Sequence, residues 1–162
     1  MSFLFRSQRI GKGGRAFTMY KVRTLVEANN TQYAHENGYT WCGRFLRKYR
    51  LDEIPQIWNL VKGDMRVVGI RPLEEKTFNL YPEHIREQLV SIKPGWFSLS
   101  GIFFIDEEHL LSLSEEPAKD YWERIVPLKL ALDFFYLENR CISLDIWIVW
   151  QGFKKAIKQI WK

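Results

Sequence analysis

A glycine-rich segment, Gly11-Lys12-Gly13-Gly14, interrupts the first apolar stretch of the chain. Apolar-rich runs lie on both sides of it, over residues 3–10 and 16–25. Glycine-rich punctuation between two such runs is a turn signal. The pattern therefore predicts a β-hairpin over residues 3–25.

Turn residues and helical spacing divide the remainder into short segments, and helices dominate it. The residue before a proline avoids the helical region, so Ile54 marks a kink or a helix start. A short helix that begins at Pro55 would place Asp52 and Glu53 just before its N-terminus. The predicted elements are a helix over 41–50 with Trp41, Phe45 and Tyr49 on one face, a short helix over 55–61, an extended piece over 67–72, a helical region over 73–91 divided at Pro82, a turn over 93–95, and a helix from Ser114 to Leu137 kinked at Pro127. The expected fold class is α+β: a helix-dominated single domain, spanning 1–162, with a small N-terminal hairpin.

The last twenty residues, 143–162, have a distinct character. Ser143 is the expected N-cap, apolar residues follow at helical spacing, and Lys154, Lys158 and Lys162 form a second stripe at i, i+4, i+8. A basic amphipathic helix of this kind suits the headgroup layer of a membrane. The pattern equally fits a helix that packs on the core and exposes its lysines. No stretch reaches the roughly 18–20 apolar residues that span a bilayer, so we expect membrane contact at the surface only.

Positive charge and aromatic side chains are both plentiful in the 162 residues. The net charge is +5, and there are eleven Phe, seven Trp and seven Tyr. The charge favours phosphates, nucleic acid or acidic lipids as partners without choosing among them. The two cysteines suggest no disulfide framework, which favours a reducing, cytoplasmic setting, and we expect Cys42 to be buried.

One acidic pair, Asp52-Glu53, stands among many cations. Arginines and lysines recur around it, at positions 21, 23, 44, 47, 48, 50, 66 and 71. Mg²⁺ typically takes one or two carboxylates plus substrate phosphates, so the pattern indicates a site for a phosphate-bearing substrate with a divalent metal. Adjacent residues on a helix point about 100° apart, so one carboxylate is free to attack while the other holds metal. The alternative is structural, with the pair capping a helix and forming ion pairs with Arg47 or Arg50.

Four ordered motifs that include this pair resemble the bacterial sugar transferases. These are the monotopic phosphoglycosyl transferases that start polysaccharide and glycan assembly on polyprenol phosphate. The similarity covers roughly residues 3–150. The motifs are the opening segment between Phe5 and Thr24, LDEIPQ at 51–56 with GDMRVVGIRP at 63–72, KPG at 93–95, and the residues between Asp133 and Asp145.

The resemblance implies that Asp52 attacks the β-phosphate of a UDP-sugar, forming a phosphosugar–aspartate intermediate that passes to polyprenol phosphate. It implies that Glu53 is catalytic and associated with Mg²⁺. It also implies substrate-binding roles for five residues, which are Lys21, Arg23, Arg47, Arg71 and Pro72. The implied location is the cytoplasmic face of the bacterial inner membrane, peripheral or monotopic, and a homo-oligomer is possible.

The sequence departs from the family pattern in several places. Family members usually have a hydrophobic helix just before the hairpin, whereas this sequence begins at the hairpin, either as a truncated sequence or as a natural short form. In both cases we expect membrane attachment through 143–162 or a partner chain. Ser is common where Arg50 and Arg66 stand, Pro at Ile70, and Trp-Ser at Arg140-Cys141. These departures leave open a catalytically degenerate membrane-surface module as the alternative function. A nucleic-acid binder is not expected, because no nucleic-acid-binding signature accompanies the charge.

Overall fold

The computed structural model describes residues 3–24, 40, 42–104 and 107–160. Within these ranges, helices make up most of the regular structure, and the strands form two small two-stranded sheets. This confirms the predicted α+β class with helices dominant. In chain order the helices and strands are β1 (Leu4–Ile10), β2 (Ala16–Val22), α1 (Gly43–Lys48), a 3₁₀ segment (Leu51–Gln56), α2 (Ile57–Lys62), β3 (Arg66–Val68), α3 (Glu75–Phe78), α4 (Glu83–Leu89), β4 (Gly95–Phe97), α5 (Leu99–Phe103), α6 (Glu107–Ser112), α7 (Pro117–Asp120), a π-helical segment (Tyr121–Ile125), α8 (Val126–Asn139) and α9 (Ile142–Ile160).

The predicted hairpin is confirmed. Strands β1 and β2 pair antiparallel, from Leu4 opposite Val22 to Ile10 opposite Ala16. Between them, Gly13 and Gly14 have φ of 68° and 76°. Residues with a Cβ rarely adopt this left-handed region, so the glycines allow the chain to reverse here.

The segment that carries the acidic pair differs from the prediction. A helix was expected to begin at Pro55, but Leu51–Gln56 forms a 3₁₀ segment that contains both the pair and the proline, and the α-helix follows at Ile57. Pro55 lacks an N–H but its fixed φ suits this tighter helix, so the turn continues through it. The two carboxylates are therefore held within regular structure. Gly63, at φ 78°, ends α2 as expected.

A parallel pairing joins two pieces that the sequence analysis treated separately. Strands β3 and β4 pair parallel, with Arg66 opposite Gly95 and Val68 opposite Phe97. The chains come so close that a Cβ on Gly95 would stand 2.0 Å from the backbone nitrogen of Gly69. The turn predicted over 93–95 therefore ends in a strand.

Prolines bound the helices largely as predicted, with one difference. The region 73–91 forms two helices divided at Pro82, as expected. The single helix predicted from Ser114 instead starts at Pro117 and passes through a π-helical segment before α8. Pro127 lies in the first turn of α8, and its ring disfavours the preceding α-helical turn, where the π-helical segment lies. Helices α5 and α6 were not predicted.

The final helix packs on the core along one side only. It begins at Ile142, so Ser143 lies inside it rather than at its N-cap. Ile148 is completely buried, and it joins an apolar cluster with residues of β3, β4, α4, α5 and α8. A Cβ on Gly152 would stand 2.7 Å from the ring of Phe97, so the glycine allows close contact with β4. Helix α9 therefore packs against the sheet formed by β3 and β4.

The structure also bears on the expectations for membrane-spanning segments, for Cys42 and for the aromatic residues near α1. Among the described residues, no helix is both long and apolar enough to cross a membrane. Cys42 is exposed, so the expectation that it is buried was wrong. Helix α1 is shorter than the predicted 41–50. The rings of Phe45 in α1 and of Tyr49, which directly follows it, lie 4.3 Å apart between centroids, while Trp41 lies outside the described residues.

Candidate active site

The acidic pair lies where the hairpin meets the 3₁₀ segment and α2. Asn59 of α2 is completely buried and fixes this contact. Its Nδ2 donates to the carbonyl of Thr18 at 2.7 Å, and its Oδ1 accepts from the backbone N–H of Tyr20 at 3.3 Å. A buried amide needs such partners, so Asn59 sets the position of β2 against α2. Lys21, the next residue of β2, is thereby brought to the acidic pair.

Three cations surround the carboxylate of Glu53. Lys21 Nζ lies 3.0 Å from Glu53 Oε1, and Arg71 Nη2 lies 3.7 Å from the same oxygen. Arg50 Nη1 lies 3.9 Å from Oε2. The Glu53 side chain is only 13% exposed, so these charges act on it through protein more than through water. Residues far apart in sequence therefore converge on one carboxylate.

This environment holds Glu53 ionised. Burial by itself would raise its pKa, but the charges of Lys21, Arg71 and Arg50 outweigh burial and lower the pKa of Glu53 to about 2. Burial also lowers the pKa of Lys21, against the attraction of Glu53. At neutral pH Glu53 is therefore an ionised carboxylate surrounded by hydrogen-bond donors.

Asp52, its neighbour, has different surroundings. The residue is 9% exposed. Burial raises the pKa of Asp52, and the negative charge of Glu53 raises it further, while Lys21 and Arg47 oppose both. Two adjacent carboxylates whose environments push their pKa values apart are typical of sites where the two groups have different tasks.

The other predicted binding residues lie on the hairpin and around it. Arg47 of α1 donates from Nε to Thr24 Oγ1 at 3.1 Å, and its charge acts on Asp52. The Arg23 guanidinium lies 5.9 Å from the centroid of the Phe5 ring. Substrate contact by Arg23 and Arg47 stays a prediction.

The loop after β3 carries Arg71 and Pro72. Arg71 reaches Glu53 on one side, and its charge acts on Asp133 of α8 on the other. Pro72 is buried, and with Arg71 and Ile10 it lines a void of about 10 Å³. Pro72 thus packs behind Arg71. Contact between Pro72 and a nucleotide stays a prediction.

Sequence reasoning missed two buried polar residues that support the site. Asn59 was not singled out, although an amide within the apolar run of α2 was a visible signal. Asp133 was noted only as part of a motif, yet burial raises its pKa to about 7 despite a hydrogen bond from Ser100 and the charges of Lys129 and Arg71. Only the fold shows that Asp133 lies within electrostatic reach of Arg71.

Tyr136 and Asp145, by contrast, tie elements together. Tyr136 Oη donates to Asp145 Oδ1 at 2.7 Å and lies 3.3 Å from the carbonyl of Val68. Asp145 also pairs with Arg66 at 3.4 Å. These contacts join α8, α9 and β3. Asp64 lies in the turn after α2, where its N–H donates to the Asn59 carbonyl at 3.0 Å.

The donors present fit Mg²⁺ bound together with a substrate. No group of three or more His, Cys, Asp or Glu side chains gathers as a metal site in the part of the chain that the structure describes. Mg²⁺ is often held by one or two carboxylates plus substrate phosphates, and ionised Glu53 beside Asp52 provides such oxygens. The surrounding lysine and arginines suit phosphate oxygens.

A buried carboxylate pair surrounded by cations suits the transfer of a phosphate-bearing group, because fixed cations stabilise the charge that develops on phosphoryl oxygens. The family model described as "Bacterial sugar transferase" matches residues 1–159. The chain belongs to the bacterial sugar transferase family.

Several curated relatives resemble it over nearly all of its length. It is 31% identical to the UDP-N-acetylgalactosamine-undecaprenyl-phosphate N-acetylgalactosaminephosphotransferase of Aeromonas hydrophila, over 95% of this chain and 35% of that protein. It is 31% identical to the uncharacterized sugar transferase EpsL of Bacillus subtilis, over 94% of this chain and 69% of EpsL. It is 36% identical to the UDP-glucose:undecaprenyl-phosphate glucose-1-phosphate transferase of Xanthomonas campestris, over 90% of this chain and 29% of that protein. The chain thus spans about a third of the length of two of these relatives.

Proposed function

We propose that this chain transfers a sugar 1-phosphate from a UDP-sugar to polyprenol phosphate and so initiates polysaccharide or glycan assembly. The convergence of Lys21, Arg71 and Arg50 on Glu53, beside buried Asp52, carries the proposal. The names of the Aeromonas and Xanthomonas relatives support the donor and acceptor classes.

In the proposed reaction Asp52 is the nucleophile. A carboxylate oxygen of Asp52 attacks the β-phosphorus of the donor, and the bond from that phosphorus to the oxygen bridging the α- and β-phosphates breaks. UMP leaves with that electron pair, and an aspartyl phosphosugar remains. An oxygen of polyprenol phosphate then attacks the same phosphorus, the aspartate carboxylate leaves, and polyprenyl-diphospho-sugar is released.

The surrounding cations stabilise the charge that develops on the phosphate oxygens during both steps. Lys21 and Arg71 already lie within 4 Å of Glu53, so they are held in place before substrate arrives. Arg47, whose charge acts on Asp52, is proposed to meet the donor from α1. Such fixed donors need no reorganisation during the reaction.

Glu53 is the proposed Mg²⁺ ligand. Its low pKa keeps it anionic, as a hard cation requires of its oxygen ligands. Bound Mg²⁺ would neutralise diphosphate charge and polarise the phosphoryl group.

A membrane surface is the proposed setting, because the acceptor is a lipid and apolar side chains are exposed near the site. Helix α9 exposes the large apolar residues Ile142, Ile146, Trp150, Phe153 and Ile157 on one side. A second exposed apolar row, at i, i+3, i+4, i+7, begins one residue after the acidic pair and consists of Ile54, Ile57, Trp58 and Val61. Contiguous exposed apolar surface marks interaction sites, and amphipathic helices of this kind lie in the lipid headgroup layer. We place the chain at the cytoplasmic face of the bacterial inner membrane.

The test is UMP release from a panel of UDP-sugars with Mg²⁺, with and without polyprenol phosphate. Asp52→Asn is expected to abolish release, because an amide cannot attack phosphorus as a carboxylate does. Glu75→Gln, at an exposed position of α3, is the matched control and should release UMP as the wild type does. Normal release by Asp52→Asn would overturn Asp52 as nucleophile. No release by the wild type with any sugar, together with binding to vesicles, would favour the non-catalytic membrane-surface module.

A further inference from the structure

A second cluster of positive charge lies away from the acidic pair. A cleft of about 290 Å³ is lined by Lys12, Arg66, Ile92, Lys93 and Arg140. Four of these five residues are cations, and they come from four segments: the hairpin turn, β3, the turn before β4 and the end of α8. We call this the basic cleft.

Backbone hydrogen bonds hold the walls of the basic cleft together. Gly13 N–H, next to Lys12, donates to the carbonyl of Val90 at 2.9 Å, so the hairpin turn is fixed against the segment leading to Ile92. Arg66 N–H donates to the Pro94 carbonyl at 2.8 Å. These bonds hold the segments of Lys12, Arg66 and Lys93 together, and Arg140 completes the lining from the end of α8.

The charge in the basic cleft is only partly balanced. Arg66 pairs with Asp145 at 3.4 Å, and Asp145 already accepts a hydrogen bond from Tyr136. Lys12, Lys93 and Arg140 are exposed, and none of them forms an ion pair with another described residue. Like charges held around one concavity repel one another, and an anion bound among them relieves this repulsion.

We infer that the basic cleft binds a phosphate group. Guanidinium groups present a planar fork that matches phosphate oxygens, and lysines add mobile point charges. The volume is near the lower end for small-ligand pockets, which begin at about 300 Å³. With one carboxylate, that of Asp145, against four cations, the lining is net positive and therefore suits an anionic phosphate group.

This site is distinct from the acidic pair. Lys12 lies at the turn of the hairpin, whereas Lys21 lies near its open end, paired with Phe5. The five residues of β2 between the turn and Lys21 correspond to about 17 Å of extended chain. Lys12 and Lys21 therefore lie toward opposite ends of the hairpin, so a phosphate held at Lys12 is well separated from the acidic pair beside Lys21.

Two sources can present a phosphate group here: the headgroup of an anionic lipid, or a small soluble phosphate compound. The surroundings favour the lipid. Arg140 comes two residues before Ile142, which is 80% exposed and begins the apolar row of α9. A lipid phosphate in the cleft would thus lie beside an apolar surface suited to acyl chains.

The test compares two triple variants of equal charge. Lys12→Gln, Lys93→Gln and Arg140→Gln together neutralise the cleft but spare Arg66, whose ion pair joins β3 to α9. Their control combines exposed cations elsewhere, namely Lys76→Gln, Lys119→Gln and Arg124→Gln. All six side chains are exposed, so both variants should keep the melting temperature of the wild type.

The first arm measures partition onto vesicles of phosphatidylcholine, with and without phosphatidylglycerol. On vesicles containing phosphatidylglycerol, the cleft variant is expected to lose about fivefold in partition for each cation removed, and the control much less. On phosphatidylcholine alone the three proteins should agree. The second arm measures stabilisation against heat by inorganic pyrophosphate, which should fall in the cleft variant and persist in the control.

The arms separate the sources. A selective loss in the vesicle arm identifies a lipid headgroup as the ligand, and a selective loss in the pyrophosphate arm alone identifies a soluble phosphate. Equal behaviour of the cleft variant and its control in both arms would overturn the proposal, since net charge would then explain any effect. Both readouts are binding measurements, so the result stands whatever the outcome for UMP release.

Discussion

Asp133 illustrates how burial alone changes the chemistry of a side chain. It lies on α8 and is 7% exposed, with Ser100 of α5 as its hydrogen-bond donor. The charged or titratable groups that face it are Lys129 on its own helix, Arg71 on the loop after β3, and Tyr81. The cations do not compensate for the lost hydration, so burial raises the pKa of Asp133 to about 7. A carboxyl group with this pKa is largely neutral below pH 7 in the folded chain.

The sign of the resulting pH effect follows from linkage. Unfolded Asp133 has a pKa of 3.8, so between pH 4 and 7 the folded chain binds a proton that the unfolded chain does not. The free energy of unfolding should therefore fall as pH rises through this window, by at most about 4 kcal/mol from this group. Asp133→Asn cannot titrate and should flatten the dependence. Urea unfolding of both proteins between pH 4 and 7 measures this.

Glu138→Gln is the matched control for that experiment, because Glu138 lies on the same helix but is exposed. It should keep the slope of the wild type. Glu53 contributes mainly below this window, and with the opposite sign. Its folded pKa of about 2 lies below its unfolded value of 4.5, so the stability it provides is lost as pH falls from 4.5 toward 2. An identical slope in Asp133→Asn and wild type would show that the buried carboxyl is ionised.

At the scale of elements, the parallel pairing of β3 and β4 depends on glycine at two facing positions. The N–H of Gly69 donates to the Phe97 carbonyl at 2.9 Å, and the N–H of Gly95 donates to the Ile70 carbonyl at 2.8 Å. A side chain on either glycine would enter the other backbone. Gly69 lies two residues before Arg71. The pairing therefore also fixes the backbone position from which the Arg71 side chain extends to Glu53.

Gly95→Ala is therefore expected to destabilise the fold strongly. The added Cβ would stand 2.0 Å from Gly69 nitrogen and 2.5 Å from Phe97 oxygen, both backbone atoms that cannot move without breaking the pairing. We expect a loss of about 3 kcal/mol, at the upper end for overpacked cores. Gly13→Ala is the comparison, because it adds backbone strain without a clash. The added Cβ would meet no atom within 4 Å, but the residue has a φ of 68°.

Gly13→Ala should cost about 1 kcal/mol, which is the conformational penalty without a clash. Urea unfolding midpoints of the two variants test this difference. If Gly95→Ala lost no more stability than Gly13→Ala, the close approach of β3 and β4 would be wrong.

At the scale of the whole molecule, α9 presents two different apolar faces. Ile148 and its neighbours pack on the core, whereas Ile146 and Trp150 are 64% and 62% exposed. Lys154 is also exposed and lies close to this outer row. The two interpretations of the final segment are thus partly reconciled, since the helix packs on the core and still offers an apolar surface outward.

If that surface meets the membrane, Ile146→Ser with Trp150→Ser should weaken partition onto phosphatidylcholine vesicles by at least about tenfold, because apolar burial contributes roughly 25 cal/mol per Å². Since both side chains are exposed, the melting temperature should change little. Ile148→Ala is the converse control, and it should lower the melting temperature while the folded protein partitions as the wild type does. Wild-type partition of the double variant would exclude this face of α9 as the membrane contact.

Much of the local structure could be predicted from the sequence, because it depends on neighbouring residues. The glycines at 13 and 14 reverse the hairpin through their positive φ, and Pro82 divides two helices through its fixed φ. The acidic pair and its basic surroundings were visible because Asp52 and Glu53 are adjacent. The family itself followed from ordered motifs along the chain.

Contacts between distant segments were decided by the tertiary structure. Lys21 and Glu53 are 32 positions apart, and nothing in their local pattern shows that buried Asn59 holds β2 against α2 so that the two charges meet. The basic cleft likewise exists only because the fold brings four separate cations together. Turn chemistry and periodicity act over a few residues, whereas burial and the approach of charges depend on how the elements pack, and that packing is a property of the whole chain.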